Sequence, residues 1–287
     1  MIKKFSLPDY YGKIEYIIKL IKFRQEHPQY FYTDRIIDSC YGAHPDILWA
    51  GGRRVGCDHD FMSMQEVLED YSIAPEVELR HTCTNYFITK NIAYDYKTNY
   101  FMQHYLREQD KIIVANPLLI EYLQQNYPET KLIYSTTLNI TDIKEVNKIS
   151  KNNIYVLNYN YNNNNEYLKQ LENINNIEIL CAEPCQPNCP KRVQHYKHIS
   201  MEMLGLTNGE DFICNNNRDY RFKSEIMQLP TAVTSERVDE LAEMGIQYFK
   251  ISGRLLKVPA WLDLIIYYLV LPQYQEQVFM QLLNAWW

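Results

Sequence analysis

The chain has 287 residues, of which 46% are hydrophobic and 22% charged, as in a globular protein with enough apolar mass for a core. Its net charge of −6 argues against general nucleic-acid binding, which needs a basic surface. No run approaches the roughly 18 apolar residues of a membrane-spanning helix, and residues 1–5 do not open a secretory signal. We therefore expect a cytoplasmic protein without a membrane partner. Its seven cysteines favour thiols or metal ligands over disulfides.

Hydrophobic spacing predicts strands and helices in regular alternation. The chain begins with a predicted N-terminal helical segment, residues 1–30, whose amphipathic helix covers 9–27. Strands are then predicted at 35–39, 76–81, 111–115, 131–134, 154–158, 177–181 and 247–251. The helices between them are predicted at 63–71, 94–108, 117–127, 166–172 and 235–244. An apolar, aromatic helical segment is predicted at 255–287.

This alternation is typical of repeated β-α units that build a parallel sheet. No linker or change in composition divides the chain, so we predict one α/β domain, 1–287, folded as a single TIM-type (β/α)8-like barrel with an apolar C-terminal helix. A doubly wound open sheet is the alternative. Barrel enzymes carry their sites at the C-terminal ends of the strands. Polar residues that follow the predicted strands should therefore meet there, although several of them, such as Asn116 and the run 135–137, would serve equally as helix caps.

The highest concentration of reactive side chains follows the predicted strand at 177–181. Cys181, Cys185 and Cys189 are spaced at intervals of four, and the prolines between them prevent a regular helix. A loop of this kind can wrap thiolates around one centre, and thiolates suit zinc and iron–sulfur clusters equally well. Cys214 is the expected further ligand, and His195 is a candidate ligand for zinc. Alternatively, the cysteines are small buried hydrophobic residues.

Positive charges near two strand ends indicate an anion site. Lys250 and Arg254 bracket the end of the last predicted strand, where they could hold a carboxylate or a phosphate. Arg53 follows a glycine pair that allows close backbone approach, although a plain turn also explains that pair. With Asn85 and His195, these residues are the candidate substrate-binding set. For Arg254, binding to helix C-terminal carbonyls is the alternative.

Two sequence elements resemble a known family. Residues 185–192 (CQPNCPKR), followed by His195 and Tyr196, and residues 244–254 (MGIQYFKISGR) are similar to elements of the collagenase-like peptidase superfamily. Shorter similarities, most like those of bacterial members without an established reaction, extend over roughly residues 36–275. The resemblance implies an α/β barrel. In several members it implies a four-iron cluster, held by four cysteines, that supports oxygen-independent hydroxylation of RNA bases or of a quinone precursor, with prephenate as the apparent oxygen donor.

By this resemblance, Cys185, Cys189 and Cys214 would bind the cluster. Cys181 is the fourth candidate, with Cys83, Cys40 or a non-cysteine group as alternatives. We therefore predict an iron–sulfur enzyme that modifies a small molecule, peptide or RNA bound in the barrel mouth. A peptidase-like hydrolase, with zinc or no metal, is one alternative. A non-catalytic barrel with a structural zinc site is the other.

Overall fold

The computed structural model describes residues 1–44, 47–52, 64–72, 74–207, 209, 211–214 and 223–286. Eight parallel strands follow one another in chain order and close into a barrel, since the first strand pairs with both the second and the eighth. Helices lie between the strands. The predicted TIM-type barrel is confirmed, and the open-sheet alternative is wrong.

The strands are short, and most lie where the apolar runs predicted them. Their bounds are β1 Lys3–Pro8, β2 Arg35–Gly42, β3 Glu78–Cys83, β4 Lys111–Val114, β5 Lys131–Tyr134, β6 Ile154–Val156, β7 Ile177–Leu180 and β8 Tyr248–Lys250.

The described helices form the outer layer. They are α1 Ile14–Glu26, α2 Met64–Tyr71, α3 Lys90–Ala93, α4 Tyr96–Tyr105, α5 Pro117–Asn126, α6 Ile143–Ser150, α7 Asn165–Leu168, α8 Arg192–Met203, α9 Lys223–Ile226, α10 Ser235–Glu243, α11 Val258–Leu269 and α12 Gln275–Trp286.

The first strand lies inside the N-terminal segment that was predicted to be helical, so the strand predicted at 35–39 is the second of the barrel. β1 alternates between two environments: Phe5 and Leu7 are fully buried in the core under the helices, whereas Lys4 and Ser6 occupy the opposite face. The interior face of this strand is therefore polar. A six-residue strand with a polar face and lysines at its start lacks the apolar run that identified the other strands.

Two predicted helical segments differ in detail from the structure. The helix predicted at 94–108 forms as α4 alone, because Asp95 caps its start by accepting a hydrogen bond from the Thr98 backbone N–H at 2.8 Å, and the short α3 precedes it. The C-terminal segment becomes α11 and α12, separated by a turn that starts at Pro272. Among the described residues, no helix is long and apolar enough to span a bilayer.

Ion pairs fill the N-terminal end of the barrel interior. Arg80 of β3 donates to Glu78 at 2.6 Å, to Asp38 at 3.3 Å and to Glu178 of β7 across the barrel. Burial lowers the pKa of Arg80, but the carboxylates of Glu178, Glu78 and Asp38 outweigh that effect and raise it overall. Lys111 of β4 also contacts Glu78. These charges make the lower interior a closed, self-paired layer, so any site must lie above it, toward the C-terminal ends of the strands.

Candidate active site at the barrel mouth

The predicted cations at the end of β8 lie together. The Lys250 side chain is buried, and its Nζ atom is 3.9 Å from the ring centroid of Tyr41 at the end of β2. The guanidinium carbon of Arg254 is 5.7 Å from the same centroid. The Tyr41 hydroxyl donates to the Ile251 carbonyl at 2.8 Å, which fixes the ring between the two strands. Two cations therefore converge on one aromatic side chain at the barrel mouth.

A buried ion pair in the loop after β1 supports this cation site. Asp9 and Lys13 lie in the loop after β1, their side chains are fully buried, and they contact each other directly. Asp9 has a left-handed backbone with φ of 69°. The Lys13 ammonium also donates to the Arg254 carbonyl at 3.1 Å. The loop after β1 thus holds the backbone that carries Arg254, a contribution that the sequence analysis missed together with β1 itself.

A second cationic group lies beside the cysteine loop. Arg192, the first residue of α8, is buried, with its guanidinium carbon 4.0 Å from the ring centroid of Tyr159 and 5.0 Å from that of Tyr196. Its Nη1 atom is 3.6 Å from a carboxylate oxygen of the buried Glu183. The Tyr159 hydroxyl donates to the Gln186 carbonyl at 2.6 Å, so the loop is attached to the end of β6. Burial raises the pKa of Tyr159.

Three of the cysteines considered as ligands belong to the core. Cys40, Cys83 and Cys181 are buried in the hydrophobic cluster between strands and helices. Burial raises the pKa of the Cys83 thiol to about 12, and it also raises that of Cys181. Thiols in such surroundings resist the ionisation that metal binding requires. The alternative that these residues are small buried hydrophobic side chains therefore fits the structure, and it disfavours Cys181 as a ligand.

The remaining candidates Cys185, Cys189 and Cys214 are partly exposed. Cys185 packs against the apolar cluster inside the barrel. The segment 211–214 runs beside α8, because Lys191 donates to the Ile213 carbonyl at 3.4 Å and the His195 ring stacks on Phe212 at 4.6 Å. These contacts bring the segment 211–214, which contains Cys214, to the same end of α8 as the cysteine loop.

The thiol chemistry suits a soft metal, but the described part of the chain does not contain an assembled site. Among the described residues, no group of three or more His, Cys, Asp or Glu side chains is placed to hold a metal ion. The seventh cysteine, Cys57, lies in the stretch 53–63, outside the described residues. Metal binding by Cys185, Cys189 and Cys214 therefore stays a prediction.

The family comparison covers the part of the barrel from the end of β2 to the end of β7. Residues 41–181, just under half of the chain, match the model of peptidase family U32. This match supports membership of the collagenase-like peptidase U32 superfamily. No protein with a curated description matches it.

The matched range contains Tyr41 and Asn85 but stops before most of the candidate site. Cys185, Cys189 and Cys214 lie beyond it, as do Lys250 and Arg254. The U32 match therefore supports the superfamily and leaves the roles of these residues to be argued from their positions.

Asn85, a predicted substrate-binding residue, is fully buried and holds backbone. Its Nδ2 atom donates to the Ala50 carbonyl at 2.9 Å and to the Ser200 carbonyl at 3.3 Å, while its Oδ1 atom accepts from the Phe87 N–H at 2.8 Å. A Cβ atom at Gly51 would lie 2.9 Å from the Asn85 amide. The glycine pair is thus needed for close packing against the end of β3, and the plain-turn reading fits it. Its neighbour Arg53 lies outside the described residues.

Ser200 of α8 joins the same segments and was not found from sequence. Its buried hydroxyl accepts hydrogen bonds from the Gly52 N–H at 2.9 Å and the Tyr86 N–H at 3.1 Å, and it donates to the Tyr196 carbonyl at 2.9 Å. A serine inside a helix gives no sequence signal for such a role. Asn116, in contrast, caps α5 by accepting from the Leu118 N–H at 2.9 Å, so the capping alternative is the correct one there.

Proposed function

We propose that this U32-superfamily chain is an enzyme that binds an anionic substrate in the barrel mouth, where Lys250 and Arg254 hold the negative charge. The observation that carries the proposal is the convergence of both cations on Tyr41 at the end of β8. An arginine stays charged at any physiological pH, and cations at a strand end of an α/β barrel lie where such enzymes bind substrates.

The depth of Lys250 favours a small molecule over peptide or RNA. Its ammonium lies over a ring that is itself only 5% exposed, inside the circle of strands. A polymer could present a single side chain or an extruded base at this depth, whereas a small molecule enters whole. When the charged group of such a molecule enters, it loses its interactions with water, and direct contact with the cations replaces them.

We further propose that Cys185, Cys189 and Cys214 bind a metal centre beside this site, a four-iron cluster or, as the alternative, zinc. The support is that these three described thiols are partly exposed and belong to chain segments that meet at the start of α8. Such a cluster, when bound, supplies one-electron chemistry. Oxygen-independent hydroxylation or another modification of the substrate is then the proposed reaction, and peptide hydrolysis is the alternative.

The anion site is tested by the Lys250→Met variant, which keeps most of the apolar stem and removes the charge. We expect wild-type protein to bind some members of a panel of small carboxylates and phosphate monoesters, and to bind their uncharged amides and alcohols far less. Loss of a charge-assisted hydrogen bond should raise Kd about tenfold or more in the variant. Titration calorimetry measures this, with Lys131→Met, exposed at the opposite end of the barrel, as control. Equal binding of charged and neutral compounds, or no binding at all, would refute the proposal.

The metal site is tested by anaerobic purification with analysis of iron, sulfide and zinc. We expect wild-type protein to contain iron and sulfide, and Cys185→Ala, Cys189→Ala and Cys214→Ala to lose them. Cys181→Ala should retain them, because Cys181 is buried in the core. Zinc without sulfide, together with a large drop in Tm for Cys185→Ala, would instead support the structural zinc alternative. Colourless protein without iron or zinc after reconstitution would leave the cysteine prediction wrong.

A further inference from the structure

The barrel interior above the ion-pair layer has two chemically different walls. Side chains in a strand alternate between the core under the helices and the barrel interior. From β8 through β1 and β2 to β3 the buried interior residues are mostly polar: Lys250, Ser6, Ser39 and Thr82, with Ser252 just after the end of β8 and Tyr41 as the aromatic exception. On β4 to β7 they are apolar and form one cluster with Tyr41 that includes Ile113, Ile133, Val156 and Leu180.

The polar wall carries buried hydroxyls without a hydrogen-bond partner among the described residues. Thr82 and Ser252 are each 5% exposed, and neither Oγ1 of Thr82 nor Oγ of Ser252 has a partner there. Thr82 lies two residues beyond Arg80, and Ser252 two beyond Lys250, so both face the interior on the mouth side of those residues. Buried hydroxyls are normally hydrogen-bonded, and an orphaned pair indicates an unseen water or ligand.

Two further orphaned hydroxyls on this wall lie deeper than Thr82 and Ser252. Ser6 pairs in register with Lys250 and with Ser39, and Ser39 pairs with Glu78, which belongs to the ion-pair layer. Of these four hydroxyls, Thr82 and Ser252 are therefore the two nearest to the mouth. Together with Lys250 they offer one ammonium and two hydroxyl groups on one side of the interior, a set that matches the oxygens of a carboxylate or a phosphate.

The apolar wall leads to the cysteine loop. Tyr159 belongs to the apolar cluster, and Cys185 packs against it. A ligand whose charged end faces Lys250 would therefore turn its other end toward Ile113, Val156 and Leu180, with Cys185 at the edge of that surface. Burying a second charge against this wall would cost free energy without a partner to offset it.

We propose that the interior selects amphiphilic oxyanions: a small molecule with one carboxylate or phosphate group, bound by Lys250, Thr82 and Ser252, and an apolar body that rests on the wall of β4 to β7 toward Cys185. This inference rests on the proposed anion site and adds the class of its substrate and the direction in which that substrate lies. Thr82 and Ser252 then act as specificity-determining residues.

The test compares ligands matched for charge and for apolar body. Cyclohexanecarboxylate and cyclohexyl phosphate carry both features and differ only in the anion, which decides between carboxylate and phosphate. Acetate and inorganic phosphate lack the apolar body, and cyclohexanecarboxamide lacks the charge. By titration calorimetry we expect one of the two amphiphilic anions to bind at least about tenfold more tightly than its matched controls, given the transfer free energy of several buried methylene groups.

The variants are Thr82→Val and Ser252→Ala, which remove the orphaned hydroxyls and little else. Because these hydroxyls lack a described partner, their loss should leave the Tm of the ligand-free protein unchanged or slightly higher. Each should raise the Kd of the preferred anion about tenfold, as expected for a lost hydrogen bond to a charged group. Ser200→Ala, which breaks three hydrogen bonds of the described fold, is the control in which Tm falls instead.

The outcomes separate this inference from the proposed function. If wild-type protein binds acetate as tightly as cyclohexanecarboxylate, or if both hydroxyl variants bind as wild type while Lys250→Met does not, the two-wall inference is wrong and the anion site stands. If none of the anions binds, both are wrong.

Discussion

At the scale of single residues, the mouth depends on charges that are buried in pairs. Asp9 and Lys13 are both fully buried, and removing one partner of such a pair leaves a charge without compensation, at a cost of about 3–5 kcal/mol. The pair could not be found from sequence. An aspartate four residues before a lysine is an ordinary spacing, and only the barrel, which brings the loop after β1 against residue Arg254, gives it a role.

The lowered pKa of the Asp110 carboxyl group predicts that the stability of the fold depends on pH. Burial alone would raise its pKa, but His81 and Arg107 outweigh that effect and hold it at about 2. An aspartate in the unfolded chain titrates near pH 3.9. The stabilisation is therefore fully present above pH 4 and is lost as the pH falls toward 2. We expect Asp110→Asn to lower the free energy of unfolding by about 2 kcal/mol at pH 6, and by progressively less at pH 4 and 3.

Urea denaturation at each pH measures this difference. The control is Asp142→Asn, at an exposed helix N-cap where asparagine serves as well as aspartate, so its effect should be small at every pH. If the free energy of unfolding of Asp110→Asn stays below that of wild type by a constant amount from pH 6 to pH 3, the charge of Asp110 is not what stabilises the fold.

At the scale of elements, alternation along a strand decides which cysteines are available. Cys181 follows β7 directly and shares the core-facing side with Ile177 and Ile179, all three in the same hydrophobic cluster. A period of two was visible in the sequence and would have placed Cys181 in the core. The prediction instead grouped it with Cys185 and Cys189 by spacing alone. The spacing of cysteines identifies a loop rich in thiols. The face of the strand on which a cysteine lies decides whether its thiol is buried in the core.

The cysteine loop is attached to the barrel by contacts that sequence could indicate only in part. Arg192 was part of the family-like element 185–192, yet its position between Tyr159 and Tyr196 depends on the distance between β6 and α8. Tyr159 lies in an asparagine-rich stretch between β6 and α7. Its hydroxyl holds the Gln186 carbonyl, so an apparently featureless segment positions the loop.

At the scale of the whole molecule, the regular spacing of apolar runs in the sequence predicted the barrel. It did not predict β1, the strand that closes the barrel. Seven strands were predicted within a few residues, because each has a buried apolar run. β1 was missed because its interior face is formed by Lys4 and Ser6. Closure of a barrel is a property of the complete sheet, which a local pattern of residues does not report.

Closure gives a test of the fold. Deleting residues 1–8 removes the strand that pairs with both β2 and β8, so two strand edges would be left without partners. We expect the truncated chain to lose cooperative thermal unfolding and to aggregate, as followed by circular dichroism and light scattering. Deleting only Met1 and Ile2, which are 68% and 47% exposed, should leave the transition intact. If the chain without residues 1–8 unfolds as cooperatively as the full chain, the role given to β1 is wrong.

The Ser200 hydroxyl has a consequence for how fast the mouth can accept a ligand. One oxygen joins α8 to the chain at Gly52 and at Tyr86, so these three segments are already ordered before binding. Little conformational entropy then remains to be lost when a ligand arrives. Association at this part of the mouth should therefore proceed as a single step whose rate scales with ligand concentration, without the plateau that a slow rearrangement of the backbone would impose.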